Sequence, residues 1–152
     1  MRAVIGGGCL ALLLTAAEAG TLTATLPDGT EIVRLPVPDG AGWCVIWHHS
    51  VRGFEVEDCY ENRGGRMVLV RAHLPDFAAG LDHIPGRGRQ VSDGAGGYWI
   101  LDIDEPVAGN AYVLRPGLGP VDHRLRVGDE TVSLSAAAPR ARVKIALEGE
   151  ED

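Results

Sequence analysis

His48, His49, His73, His83 and His123, with Glu55, Glu57 and Asp82, are the side chains through which this chain could hold a metal ion or move a proton. Their spacing favours neither. Structural zinc sites bring ligands in close pairs and catalytic ones use patterns such as His-Glu-x-x-His, both missing here. His48 and His49 are neighbours, so on a strand they point to opposite faces and cannot share one ion without a bulge. Ser50 follows His49 but has no Gly-x-Ser-x-Gly elbow around it, and a hydroxyl at a turn ordinarily caps that turn. No carboxylate pair is placed by spacing, and bridged cysteines are not nucleophiles. The chain is therefore expected to act without catalysis, metal or cofactor.

These residues sit on one recognisable element. Trp43–His49 and Phe54–Tyr60 are rich in Trp, Val, Ile, Phe and Tyr, which suit a pleated, packed surface, and Arg52-Gly53 between them supplies a positive φ. A hairpin centred between Val51 and Arg52 sets Cys44 opposite Cys59, Trp47 opposite Val56 and His48 opposite Glu55. A slip of one residue breaks all three pairings. If the compartment is oxidising, Cys44 and Cys59 are expected to bridge, closing a loop of about 15 residues worth roughly 3 kcal/mol in the chain-entropy account. The alternative is two buried free thiols.

The start of the chain speaks to the compartment. Met1-Arg2, an apolar run from Ala3 to Leu14, and Ala17-Glu18-Ala19 before Gly20 have the pattern of a cleaved secretory signal over residues 1–19. The apolar run is far shorter than the roughly 20 residues a membrane span needs. Cys9 falls inside it and leaves with it. Cleavage removes one basic and one acidic residue from 14 Lys+Arg and 21 Asp+Glu, so the net charge stays at −7. That charge repels phosphate backbones and anionic headgroups, so nucleic acid and membrane surface are poor partner classes. A periplasmic protein with no span after signal cleavage is expected.

Residues 20–152 read as one β domain with an acidic C-terminal tail. Twenty-one glycines and nine prolines punctuate short runs, and no segment sustains a helical apolar period. Ten strand-like runs, beginning with Thr21–Leu26 and Glu31–Val37 around Asp28-Gly29, predict an all-β, antiparallel sandwich or partly open barrel of about 8–10 short strands. From Pro75 to Gly97 the rhythm fails, and a single long loop is expected, of the length that usually carries function. Gly94-Ala95-Gly96-Gly97 within it precedes a strand and lacks a lysine, so it is not a phosphate loop.

His49-Ser50-Val51, then Val56-Glu57 and Tyr60, then Phe77-Ala78-Ala79-Gly80-Leu81, resemble a family of small secreted bacterial proteins of unknown function whose genes commonly accompany TAXI-type TRAP transporters. His123-Arg124-Leu125 resembles that family's late element, and the likeness covers roughly residues 42–127. Ala78 stands where the family has Gly, and Asp82 where it has Pro. The resemblance implies a periplasmic accessory protein of an organic-anion or carboxylate uptake system, contacting the solute-binding protein or the permease. The expected ligand- or partner-binding residues are His49, Ser50, Glu57, Gly80, Asp82 and His123, with His49, Ser50 and Glu57 in one hydrogen-bonded cluster facing Ala79-Gly80-Leu81. An acidic domain is a poor scavenger of anions, which favours contact with a protein partner. The alternatives are a small-ligand binding module using the 75–97 loop and a metal-dependent or hydrolytic enzyme.

Overall fold

The computed structural model describes residues 19–74 and 85–149. Twelve strands run in order: β1 Ala19–Thr25, β2 Glu31–Pro38, β3 Gly42–His48, β4 Glu55–Arg63, β5 Arg66–Leu74, β6 Arg89–Ser92, β7 Tyr98–Leu101, β8 Glu105–Pro106, β9 Ala111–Leu114, β10 Arg124–Val127, β11 Glu130–Ser133 and β12 Val143–Glu148. They form two antiparallel sheets and no closed barrel, an all-β sandwich. The smaller sheet has the order β2-β1-β12-β9, and the larger β11-β10-β3-β4-β5-β7-β6 with β8 added beside β5. A short helix, α1 (Leu134–Ala137), is capped by Ser133, whose Oγ accepts from the Ala136 amide.

The ten expected strands are present, and two short ones were not foreseen. β6 lies inside the stretch read as one long loop and pairs with β7, so residues 89–92 of that stretch are strand. Its single apolar residue, Val91, is too little to announce a strand. The reversal between β6 and β7 is held by Asp93, whose Oδ1 accepts from the amides of Ala95 and Gly97 at 2.7 and 3.0 Å. The tight turn between β4 and β5 is Gly64-Gly65 alone, both at positive φ, as a two-residue hairpin of this kind requires.

The central hairpin has the expected register: Cys44 faces Cys59, Trp47 faces Val56 and His48 faces Glu55. Alternation then divides β4 between two environments. Val56, Asp58 and Tyr60 point to the inside of the sandwich, while Glu55, Glu57 and Cys59 point to the outer face of the larger sheet.

Inside, the smaller sheet supplies Leu22, Ala24, Val33, Val37, Val143, Ile145 and Leu147 against Trp43, Val45, Met67 and Leu125 of the larger one. Asn62, fully buried, ties the sheets by donating to the Val37 carbonyl at 2.8 Å. The space for it exists because residue 20 is glycine: a Cβ there would lie 2.6 Å from Asn62 Nδ2. A second cluster, Leu69, Ala72, Leu74, Tyr98, Ile100 and Ile103, fills the β5–β7 end of the larger sheet. Tyr60 packs against both clusters, and Asp58 sits at their seam.

Candidate functional site

Asp58 occupies an odd place. The cross-strand row on the inner face of the larger sheet runs Val132, Leu125, Val45, Asp58, Ala72, Ile100. Five positions are apolar and one is a carboxylate. No hydrogen bond to its side chain forms among the described residues, and burial pushes its pKa up from 3.8 to about 6, against the pull of the Arg87 charge and with a small push from Glu57. A half-buried acid without a donor among the described residues destabilises the fold, so its presence calls for a role.

Two adjoining hollows meet at Asp58 and Trp47. One, of about 200 Å³, is lined by Val45, Trp47, Asp58, Tyr60, Tyr112, Leu114 and His123. The other, of about 210 Å³, is lined by Trp47, Val56, Asp58, Ala72, Leu74, Arg87 and Ile100. Together they make a cleft where β9, the edge of the smaller sheet, lies over β3 and β4.

Aromatic stacking shapes its walls. Trp43, Tyr60 and Tyr112 form a ladder with ring centroids 5.6 and 5.2 Å apart. Trp47 stacks on His123 at 5.8 Å with the rings nearly parallel. Burial raises the Tyr60 phenol to about 12 and the Tyr112 phenol well above its ordinary value, so both stay protonated donors. Tyr112 Oη and Trp43 Nε1 are buried and have no aligned hydrogen-bond partner among the described residues. Trp43 Nε1 and Tyr60 Oη lie beside Tyr112 Oη as poorly aligned partners, which leaves the Tyr112 hydroxyl weakly held at the wall of the cleft, where water or a polar ligand can take it.

His123 is fixed before β10 begins. Its amide donates to Ser135 Oγ at 2.8 Å, and its Nδ1 accepts from the Gly117 amide at 3.1 Å. An accepting Nδ1 carries no proton, so the neutral ring has its proton on Nε2, a donor for which no partner exists among the described residues. Burial lowers the ring's pKa, partly countered by Asp122.

The other expected residues do not gather around this cleft. His49 holds the hairpin tip, its Nδ1 accepting from the Val51 and Arg52 amides, both at 3.3 Å, and its ring against Phe54. The turn-capping work expected of Ser50 is done by His49, and Ser50 is exposed. Glu57 lies on the outer face. There Arg126 donates to it at 2.9 Å and Arg71 approaches to 3.7 Å. No hydrogen bond joins His49, Ser50 and Glu57 among the described residues, so the expected three-residue cluster does not form there. Gly80 and Asp82 lie outside the described residues, as does His83. Of the remaining histidines, His73 pairs with Asp93 at 2.9 Å on the outer face.

The Cys44–Cys59 disulfide is formed. It lies in the cross-strand row Arg126, Cys44, Cys59, Arg71, covered by Ile46 and Val70. Opposite Cys59 and Tyr60 of β4, β5 carries a bulge whose extra residue, Val70, packs against the bridge. Glu57 Oε1 lies 2.9 Å from Cys59 Sγ, a contact and not a hydrogen bond because a bridged sulfur has no proton. Cys44, Glu57 and Cys59 bring three ligand-type atoms within 4.8 Å, but the bridge occupies both sulfurs and arginines hold the carboxylate.

The sequence signal for Asp58 was the same alternation that places Tyr60 and Val56 inside. Glu57, which the resemblance picks out, lies one residue and one face away.

Fold and cleft define a two-sheet antiparallel sandwich with a polar, aromatic-lined opening between its sheets. A family model described as a domain of unknown function, DUF1850, matches residues 44–134, and the chain belongs to that family. All residues lining the two hollows fall within that stretch. No curated protein and no solved structure matches the chain. Among the described residues no helix is long and apolar enough to cross a membrane. The disulfide fits an extracellular or periplasmic setting.

Proposed function

We propose that this protein is a non-catalytic, small-ligand binding accessory of a periplasmic TAXI-type TRAP uptake system, with the ligand held in the cleft between the sheets. The observation that carries the binding part is Asp58, a carboxylate with no hydrogen bond among the described residues, set between two hollows and beside the weakly held Tyr112 hydroxyl. Convergent polar groups in a mostly apolar hollow are what small-ligand sites are made of. The transporter part rests on the His49-Ser50-Val51 and Glu57–Tyr60 resemblance, and the compartment on the leader-like start with the disulfide. The tip of the β3–β4 hairpin suits the partner contact, because Val51 there is 83% exposed. Catalysis has no part in this proposal.

Deleting the gene should impair uptake through the transporter, and the wild-type copy should restore it. A copy carrying Asp58→Asn should fold and be exported yet restore uptake poorly. Unchanged uptake in the deletion strain overturns the accessory role.

A further inference from the structure

The chemistry of the cleft narrows what it takes, given the small-ligand reading above. Asp58, the acid lining it, has no donor among the described residues. Arg87, whose charge acts on it, is engaged in a bidentate pair with Glu105 at 2.7 and 2.8 Å. Four aromatic rings, Trp47, Tyr60, Tyr112 and His123, line the hollow with it. Aromatic rings attract alkylammonium groups through their π faces, and a carboxylate in a desolvated setting adds a direct ionic pair. The whole chain, at −7, draws cations toward it.

We propose that the cleft binds a small organic ammonium ion, with its charge against Asp58 and its alkyl groups against Trp47 and Tyr112, the rings at the ends of their stacks. His123 Nε2–H and Tyr112 Oη–H then serve an oxygen on the same ligand. At roughly 30 Å³ per water, a hollow of about 200 Å³ admits a molecule of about seven heavy atoms, with the adjoining hollow open to a longer tail. An organic anion, the class the resemblance implies, would meet Asp58 head on. On this proposal the anion is a poor ligand for this cleft.

Three probes of similar size separate the possibilities: choline, its uncharged isostere 3,3-dimethyl-1-butanol, and benzoate. Each is titrated into the oxidised protein at pH 7.5 while backbone amide and Trp side-chain signals are followed by NMR. The expected result is that choline moves the signals of Trp47, Asp58 and Tyr112 and binds at least about tenfold more tightly than the alcohol, while benzoate leaves them in place. Asp58→Asn should erase choline's advantage. Tyr112→Phe, which removes only the weakly held hydroxyl, should preserve most of it. Cleft binding by benzoate or the alcohol as tight as by choline overturns the ammonium class and leaves the small-ligand reading standing. Silence from all three up to about 10 mM overturns both.

Discussion

Glu57 and Asp58 are adjacent in the chain, and the pleat sends them to opposite faces of one sheet. On the outer face Glu57 has Arg126 at 2.9 Å and Arg71 at 3.7 Å. On the inner face Asp58 has no hydrogen bond among the described residues, and its pKa rises to about 6. The outer carboxylate is part of a completed structure, a disulfide flanked by arginines. The inner one is left open. A group whose interactions are satisfied explains stability, and one left unsatisfied at a cleft points toward binding.

The largest effect belongs to the outer face. Replacing Cys44 and Cys59 together by Ala should lower stability by about 3 kcal/mol in denaturant melts, since the closed loop spans 15 residues. The cleft should keep its binding if the domain still folds, because the bridge faces away from it. Loss of binding in a folded, disulfide-free variant would break the separation of the two faces.

Asp58→Asn comes next and has the opposite sign. An acid whose folded pKa lies above its unfolded value binds its proton more readily when folded, so its ionisation lowers stability as pH rises from about 4 to about 6. At pH 7 the variant should be more stable than wild type by roughly 1–2 kcal/mol, less than the full shift implies because the group is partly solvated. The gap should close by about pH 4. The other groups facing Asp58 are Tyr60, Tyr112, Arg87 and His123. The first three do not titrate in this window, and His123, with a lowered pKa, costs stability as pH falls below its unfolded value of 6.5. Taking the difference between variant and wild type at each pH cancels the histidine. A gap independent of pH would contradict the desolvation account.

Glu57→Gln should destabilise by about 1–2 kcal/mol, because it removes a charge-assisted hydrogen bond to Arg126 while both arginines remain solvated. It should leave cleft binding unchanged. Smallest of all, His49→Ala should cost roughly 0.5–1 kcal/mol by freeing the Val51 and Arg52 amides at an exposed tip, where water replaces the lost acceptor.

Much of this was legible in advance, and for identifiable reasons. The β3–β4 register follows from Trp43–His49 and Phe54–Tyr60, whose apolar alternation and Gly53 allow one pairing only, and the disulfide follows from that register. The sandwich follows from turn spacing. β6 was missed because Arg89-Gln90-Val91-Ser92 has no apolar face and is held by its partner β7. The cleft was missed because it is made by residues from β3, β4 and β9 and from the turn before β10, distant in sequence and joined only when the sheets pack. His123 was singled out through the resemblance, and the structure gives it a stacking partner, Trp47, that no spacing announces.

The most direct test of the account is the titration of the Asp58 side-chain carboxyl by carbon-detected NMR in the free protein and with choline present. The account predicts a midpoint near 6 without ligand, falling by a unit or more with it, because an ammonium ion favours the ionised form. A midpoint near 4 that choline leaves in place would show a solvated surface acid, and the cleft would lose its claim to be the site.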